Sequence, residues 1–410
     1  MNQLQLFLPC AAGVEDLLVH EVAGITAGNA DAVRKQRGGV SVEATWRDAL
    51  LLNLHSRLSQ RVLVQLFHAQ YRSEQDLYRA ASEVAWEIWF TPRQSIKVEV
   101  TAQHSPLTSL NFAALKIKDA ICDRFRAKAG GVRPDVNTQW PDIRIYAHLT
   151  TDTVSLYIDT SGEALFKRGW REDKGEAPLK ETLAAAMIAA SGWAQDTTQT
   201  LYDPCCGSGT IAIEAAQIAC NIAPGFLRRF AFEKMLPFQA HVWDAIRSQS
   251  ERGQLPGDGQ VRIFGSDVAH RMVDFAQRNA ERAGVAGAIE FRGGDALQRM
   301  PPCEAPGVLL VNPPYGERIE VGGVAGTGAR EQAQTADGGD FFVQLAAHWK
   351  KHYTGWTAWV LTPDLKLPGK MRLKESRRVP MWNGPIECRL FRFDMVKGSA
   401  RGDARERPAA

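Results

Sequence analysis

The sequence has few cysteines, and no two of them are spaced as a C-x-x-C pair: seven occur among 410 residues. This spacing argues against zinc-ribbon and disulfide frameworks, so we expect no metal site. No N-terminal stretch has the composition of a secretory signal, and we therefore expect reduced thiols and a cytoplasmic location. No apolar run is long enough to cross a bilayer, so no membrane partner is expected.

An excess of either charge is also lacking. Lysine and arginine total 49 against 46 aspartates and glutamates, which gives a formal charge of +3. Such a value permits a polyanionic partner but does not predict one. A hydrophobic fraction of 45% and a charged fraction of 23% are those of an ordinary globular protein with room for two or three domains.

The first 165 residues lack any grouping of side chains that suggests catalysis. Their histidines stand singly, and strand-like stretches such as 4–8 and 96–101 alternate with helix-like ones. Isolated histidines are more often packing or surface residues than bases or ligands. The alternation predicts an α/β or α+β region with its own sheet.

What the sequence does contain is a strand, a glycine loop and a helix within residues 201–220. Asp203 stands where the strand stops, and two glycines let a ligand approach the backbone before the helix begins. The helix start then points free N–H groups at that ligand. The loop residues that we expect to contact the ligand are Pro204, Cys206, Gly207, Ser208, Gly209 and Thr210.

Three interpretations of this loop are open. Gly207, Gly209 and Ala212 satisfy the G-x-G-x-x-A dinucleotide pattern, which alone is a weak signal. A carboxylate directly before the glycines instead suits a ligand with an ammonium group, as in S-adenosylmethionine, and is a poor neighbour for pyrophosphate. The third possibility is a tight turn without a ligand. The pattern favours S-adenosylmethionine.

Two further acidic residues follow predicted strands downstream of the loop. Asp267 ends one strand, and Asp295 comes after the next. Because strand ends of a doubly wound sheet converge on one crevice, Asp267 could accept the ribose hydroxyls and Asp295 the adenine amine. The alternative for each is a helix N-cap, which is the common use of aspartate at that position.

A tetrad after the buried strand 308–311 indicates the chemistry: Asn312, Pro313, Pro314 and Tyr315. We expect Asn312 to contact the cofactor as well. The amine of a nucleobase is a poor nucleophile because its lone pair is delocalised into the ring. The Asn312 amide oxygen and the Pro313 carbonyl can accept its two N–H groups, and the prolines hold these acceptors in place. Tyr315 offers an aromatic face to an extruded base. A plain turn is the alternative.

Two other stretches stand out by composition. Residues 116–133 carry six cations against two carboxylates, which predicts either a solvated helix face or a phosphate-contacting one through Lys116, Lys118 and Arg124. Residues 320–339 are rich in glycine, alanine and threonine, and we expect no regular element there.

These motifs carry a family resemblance. Segments 203–210 and 312–318 resemble those of the THUMP-containing class I methyltransferases of RNA, most closely the guanine-N2-methylating half of bacterial 23S rRNA methyltransferases. The supporting stretches are residues 116–121, 141–144, 168–171, 178–186 and 383–385. Arg168 and Arg171 lie in one of them, and we add both to the candidate RNA contacts.

The resemblance implies a fold and a function. It implies a ferredoxin-like piece over residues 1–55, a THUMP domain that captures RNA over 56–162, and a Rossmann-like methyltransferase domain over 163–398. The last has a seven-stranded sheet with one antiparallel strand, and residues 399–410 are expected to be a disordered tail. The implied cofactor is S-adenosylmethionine, and the implied target is guanine N2 at position 2445 of 23S rRNA, in free rRNA or a ribosomal precursor. A single modification is expected.

Two other functions stay open at this stage. A DNA adenine-N6 methyltransferase could use the same Asn312 tetrad, because that strip does not identify the base. A non-catalytic RNA-binding or assembly factor could use the cofactor fold as a scaffold, although the intact Asp203 and Asn312 argue against it.

Overall fold

The chain is described from a computed structural model that covers residues 3–28, 30–175, 178–257, 262–313, 322–325, 329–332 and 338–396. Pro314, Tyr315 and the tail 399–410 lie outside these described residues. The described strands form two seven-stranded sheets and one short hairpin. The predicted α/β class with a preceding α+β region is therefore confirmed.

The first sheet is mostly antiparallel and takes its strands from the N-terminal 160 residues. They are β1 (Leu4–Pro9), β2 (Arg34–Gln36), β3 (Gly39–Ala44), β4 (Leu63–Gln70), β5 (Ile96–Ala102), β6 (Ile143–Leu149) and β7 (Thr153–Asp159). The helices of this region are α1 (Glu15–Ile25), α2 (Trp46–His55), α3 (Glu74–Glu83) and α4 (Leu110–Lys128).

This first sheet is continuous across the whole N-terminal region, in the order β2-β3-β1-β4-β7-β6-β5. Strand β1 pairs with β3 on one side and with β4 on the other, so the early strands and the later ones share one ladder. Local sequence fixes the helix starts: Thr45 with Asp48, and Ser73 with Asp76, form capping boxes at α2 and α3.

The second sheet is mostly parallel. Its strands are β8 (Leu201–Asp203), β9 (Ile263–Asp267), β10 (Ile289–Gly293), β11 (Val308–Val311), β14 (Thr357–Thr362), β15 (Glu375–Asn383) and β16 (Ile386–Asp394). The helices of this region are α5 (Glu181–Ser191), α6 (Thr210–Ala219), α7 (Ala240–Arg252), α8 (His270–Arg282), α9 (Gly338–His352) and α10 (Leu367–Met371).

Strand order in this sheet is β10-β9-β8-β11-β14-β16-β15, and β16 alone runs in the direction opposite to the other six strands. The chain proceeds from β8 to β9 and β10 on one side and then crosses to β11 on the other. The direction of winding thus reverses beside β8, and open α/β sheets bind ligands at such a switch point, outside the carboxyl ends of the strands.

One prediction about the second half is wrong. No element was expected within 320–339, but β12 (Gly322–Ala325) and β13 (Ala329–Gln332) pair there as an antiparallel hairpin. The glycine and alanine content hides the alternation that would have indicated strands.

A buried ion cluster joins the two halves of the molecule. Glu214 of α6 is fully buried and accepts hydrogen bonds from Arg168 Nε at 3.0 Å and from Arg57 Nη1 at 3.3 Å. Arg57 follows α2 of the first half, so the carboxylate links the N-terminal region to the region of the second sheet. Arg168 also donates to the carbonyls of Leu165 and Arg57.

We expect Glu214→Ala to lower the free energy of unfolding by about 3–5 kcal/mol, because two buried guanidinium groups would lose their shared carboxylate. Urea unfolding measures this loss. The matched control is Glu163→Ala, which breaks an exposed i,i+4 pair with Lys167 and should cost at most about 0.5 kcal/mol. Equal, small losses for both variants would contradict the assignment of Glu214 as the central contact.

Candidate active site

Four strand ends meet at one edge of the second sheet. Leu201 pairs with Ile263 on one side and with Val308 on the other, and Ile263 pairs in turn with Ile289. Because these four strands are parallel and in register, their carboxyl ends lie side by side. The residues predicted to bind the ligand follow those ends: Asp203, Asp267, Asp295 and Asn312.

The glycine loop is tied to the neighbouring strand. Cys206 N–H donates to the Ser266 carbonyl at 2.8 Å, and Gly207 N–H donates to Asp267 Oδ2 at 2.9 Å. Burial raises the pKa of the Cys206 thiol, so Cys206 packs as a neutral side chain. Pro204 is also buried. The loop is therefore fixed between β8 and β9 before any ligand arrives.

The two glycines of the loop have different roles. Both have positive φ, +52° at Gly207 and +86° at Gly209, a conformation that favours glycine. A Cβ on Gly209 would lie 2.9 Å from Ala276 Cβ, whereas a Cβ on Gly207 would meet nothing within 4 Å. Gly209 thus allows close packing of α6 on α8, and Gly207 leaves open space where a ligand can approach.

Alanine substitutions at the two loop glycines should have different effects. Gly209→Ala should lower the free energy of unfolding by about 2–4 kcal/mol, since it adds backbone strain and a clash. Gly207→Ala should cost only about 1 kcal/mol of stability but weaken binding of S-adenosylmethionine. Thermal melts and calorimetric titration separate the two effects. A Gly207→Ala variant with unchanged affinity would show that no ligand occupies the space above this loop.

Asp203 is a buried carboxylate without a cation among the described residues. Its side chain is 1% exposed and accepts a hydrogen bond from Cys205 N–H at 3.1 Å. Burial, together with repulsion from Asp267, raises the pKa of Asp203 to about 8. A carboxylate held in this way is stabilised by a cationic ligand, and an ammonium group fits that need.

Asp267 and Asp295 both make the N-cap-like contacts that were the alternative interpretation. Asp267 Oδ1 accepts from Ala269 N–H, and Asp295 Oδ1 accepts from Leu297 N–H, each at 2.9 Å. Burial raises the pKa of Asp267. The Gly294 N–H donates to the Asp267 carbonyl at 3.0 Å, which draws the Asp295 segment toward β9. Asp267 Oδ2 also accepts from the Gly207 N–H, but a carboxylate oxygen can accept more than one hydrogen bond, and both aspartates lie at the edge where a ligand would sit.

Asn312 carries a buried acceptor for which the described part of the chain offers no donor. Its Oδ1 is shielded from solvent and has no hydrogen-bond partner among the described residues. Buried polar groups are rarely left in this state, and where they are, a ligand or a function commonly accounts for it. Pro313, the next residue, is buried. The other half of the predicted tetrad, Pro314 and Tyr315, lies outside the described residues.

Arg171 supports the glycine loop. Its guanidinium donates to Ser208 Oγ at 3.1 Å, to Thr210 Oγ1 at 2.7 Å and to Glu181 Oε1 at 2.7 Å. These three bonds join the start of α5 to the start of α6. Both loop hydroxyls predicted to contact the ligand are thus engaged with Arg171, and its donors face the interior of the domain.

Asn279 of α8 is a loop-supporting residue that sequence reasoning missed. It is fully buried, and its Nδ2 donates to the Ser208 carbonyl at 3.1 Å and to the Asp173 carbonyl at 2.9 Å. The available signal was an amide side chain on the apolar side of an otherwise strongly amphipathic helix.

The predicted RNA contacts are placed unequally. Arg168 is 1% exposed and bound to Glu214, so its prediction as an RNA contact is corrected: burial removes it from any surface. Arg124 is paired with Glu87 through two bonds, and Lys118 with Asp119. Lys116 lies over the Phe112 ring, 5.3 Å from its centroid.

The described residues contain neither a membrane-spanning helix nor a metal-binding cluster. No helix of that part of the chain is long and apolar enough to cross a membrane. No group of three or more histidine, cysteine, aspartate or glutamate side chains lies close enough there to hold a metal ion.

Comparison with protein-family models divides the chain into three matched segments. Residues 5–63 match the RlmL ferredoxin-like domain, residues 71–159 match the THUMP domain, and residues 168–392 match the RMKL-like methyltransferase domain. The third match alone covers more than half of the chain.

Individual proteins agree with these matches. The Ribosomal RNA large subunit methyltransferase K/L of Shewanella amazonensis is 37% identical over 400 residues, which are 97% of this chain and 54% of that protein. The chain spans about half the length of the curated relatives it matches. The structure of SMU.472 complexed with SAH superposes with a TM-score of 0.83 at 26% identity, covering 97% of this chain and all of that one.

A third similar protein carries a different kind of name. It comes from Listeria monocytogenes, is named as an N6-adenine-specific DNA methylase by prediction, and superposes with a TM-score of 0.82 at 28% identity over 96% of each chain. The sheet topology and the family matches both indicate a methyltransferase domain in the second half of the chain. The chain belongs to the RMKL-like family of S-adenosylmethionine-dependent methyltransferases, with a ferredoxin-like and a THUMP domain before its methyltransferase domain.

Proposed function

We propose that this chain methylates the N2 amine of a guanine in 23S rRNA, at position 2445, using S-adenosylmethionine. The observation that carries the proposal is the buried Asn312 Oδ1, which has no hydrogen-bond partner among the described residues and follows β11, the strand that pairs with β8 of the glycine loop. An acceptor without a donor is suited to an incoming NH2 group.

The three aspartates fit the parts of the cofactor. Asp203 would hold the ammonium group, Asp267 the ribose hydroxyls and Asp295 the adenine amine, as their order along the sheet edge suggests. The bound cofactor supplies a methyl group on a sulfonium. Arg171 and Asn279 keep the loop in shape, and Asp267 contacts both the Gly207 N–H and its own strand end.

The Asn312 tetrad is proposed to prepare the target amine for methyl transfer. Asn312 Oδ1 and the Pro313 carbonyl would accept its two N–H groups and direct the nitrogen lone pair away from the ring. Because proline restricts the backbone, the ordering of these acceptors precedes substrate binding. No strong base is needed, since the nitrogen loses its proton to water only after it has been methylated. Tyr315 is proposed to stack on the extruded base.

The N-terminal half supports RNA rather than another substrate. The matches to the THUMP and ferredoxin-like domains, and the name of the Shewanella relative, support ribosomal RNA as the substrate, and we propose a cytoplasmic location on the same grounds. We also propose the domain boundaries expected from the sequence: a ferredoxin-like piece over 1–55, a THUMP domain over 56–162, a methyltransferase domain over 163–398 and a tail over 399–410. Lys116 and Lys118 remain proposed phosphate contacts.

A DNA adenine-N6 methyltransferase is the second candidate, because the Listeria protein of similar structure bears that name. The experiment is transfer of labelled methyl groups from S-adenosylmethionine to unmodified 23S rRNA and to duplex DNA, followed by nucleoside mass spectrometry. N2-methylguanosine in rRNA is the expected product. Incorporation into DNA alone, as N6-methyladenine, would overturn the proposal in favour of the second candidate.

A further inference from the structure

A cavity of about 180 Å³ lies where three distant segments of the chain meet. One wall comes from residues 10–12 before α1, a second from the start of α5, and the third from residues 382–384 at the tip of the β15–β16 hairpin. The residues assigned above to the cofactor and the target amine do not line it. The cavity is therefore separate from the site already described.

The hairpin wall of the cavity lies at the same sheet edge as the candidate active site. Thr362, the last residue of β14, pairs with Arg389 of β16. The β15–β16 hairpin closes at the pair Asn383–Ile386, three residues beyond Arg389 and therefore past the carboxyl end of β14. On the other wall, Lys180 precedes α5 and stands next to Leu179, whose carbonyl accepts from Arg171 at 3.1 Å. The same Arg171 holds the glycine loop, so the cavity adjoins that loop.

Its lining has the chemistry of a nucleotide site. Trp382 contributes an indole ring, and the Arg389 guanidinium lies 5.8 Å from the centroid of that ring. Lys180 is exposed, with its ammonium 5.2 Å from the Phe166 ring centroid and no carboxylate in contact among the described residues. An aromatic face with a cation beside it suits a stacked base and its phosphate. The Gln60 amide and the Thr182 hydroxyl add groups that can bond a base edge.

The walls are fixed rather than adaptable. Gly13 has φ +86°, and a Cβ there would lie 2.1 Å from the Pro380 carbonyl oxygen, so the N-terminal domain presses directly on β15. The cavity is also not a thiol site: burial, with Glu15 and Glu21 nearby, raises the pKa of Cys10 to about 12, which keeps it protonated. A protonated buried thiol is unreactive.

We infer that this cavity is a second nucleotide subsite, which holds the RNA base next to the target by stacking on Trp382 and its phosphate at Lys180. The inference rests on the proposed function, since it requires an RNA strand entering the edge where the amine is methylated. An unpaired neighbour held outside the stack would also help to keep the target base extruded.

The test compares kinetic constants for methyl transfer to unmodified 23S rRNA. Trp382→Ala and Lys180→Ala should each raise the KM for RNA, by about tenfold for the tryptophan, which is the loss of one stacked base. The kcat at saturating RNA and the affinity for S-adenosylmethionine should stay unchanged. Trp382→Phe should keep most of the wild-type KM. The control is Lys351→Ala, an exposed lysine in the last turn of α9 and outside the lining of the cavity, which should change nothing.

Because a substituted protein could misfold, a second experiment uses the wild-type protein. Ultraviolet crosslinking of the wild-type protein to thiouridine-containing rRNA should label the peptide that contains Trp382. Absence of that crosslink, or an unchanged KM in Trp382→Ala, would overturn the subsite while leaving rRNA methylation intact. A weakened cofactor affinity with unchanged KM would show instead that Lys180 walls the cofactor site. Wild-type protein that methylates only DNA would remove the proposed function itself.

Discussion

Replacement of Asn312 by alanine is expected to lower kcat for methyl transfer by about 10²–10³-fold, the usual effect of removing one preorganised polar contact to the reacting group. The same change should not reduce thermal stability, because it removes a buried oxygen that has no hydrogen-bond partner among the described residues. Alanine replacement of most other buried polar side chains lowers stability, because it leaves their hydrogen-bond partners unsatisfied. Single-turnover kinetics and a thermal melt measure the two quantities.

Cofactor binding is the internal control for Asn312→Ala. Calorimetry should give wild-type affinity for S-adenosylmethionine, since the amide oxygen is assigned to the target amine. A variant that retains wild-type kcat would contradict the assignment. If cellular function also persisted in that variant, the protein would be better described as a non-catalytic RNA-binding factor.

Asp203→Asn should have the largest effect on binding. Loss of a buried carboxylate that faces a ligand ammonium is expected to weaken affinity for S-adenosylmethionine by at least about 30-fold. The ligand-free variant should nevertheless be more stable than the wild type at pH 8, because it no longer buries a charge. Differential scanning calorimetry with and without cofactor measures both changes. Lower stability and unchanged affinity would mean that Asp203 is only a turn residue.

The sign of the pH dependence follows from the pKa of Asp203, which is about 8 in the folded protein against 3.8 for the ordinary group. Between these values the folded state holds a proton that the unfolded state has lost, so the stability of the ligand-free protein should fall as pH rises toward 8. Affinity for the cationic cofactor should rise over the same range, with proton release on binding. Asp203→Asn should abolish both trends.

The placement of the candidate site residues at one sheet edge was predictable from sequence because its signals are local. Asp203, the two loop glycines and Asn312 each sit at the end of a short apolar strand, and strand ends in a parallel sheet meet at one edge. Loop residues that carry function differ in composition from the elements around them, which makes them visible without coordinates.

Long-range partners were not predictable in this way. Arg168 and Arg171 occur in one short basic segment, and both were expected to contact RNA. Arg168 instead neutralises Glu214 in the interior, and Arg171 fastens the glycine loop. No local pattern distinguishes a cation for RNA from one for a buried carboxylate, because the difference lies in which distant residue folds against it.

The shared first sheet was also invisible in sequence. Strand β1 pairs with β4 across more than fifty residues, and the predicted boundary at residue 55 falls between strands of one ladder. Helix α7, which packs near α2, carried no motif and was not predicted. Pairing of distant strands depends on tertiary contacts, which local pattern does not encode.

The most direct test of the central claim is a crystal structure of this protein with bound S-adenosylhomocysteine. We expect the ligand ammonium at Asp203, the ribose hydroxyls at Asp267, and the sulfur facing the cleft beside Asn312 Oδ1. A ligand bound away from the Gly207 loop, or an Asn312 side chain directed away from the sulfur, would contradict it.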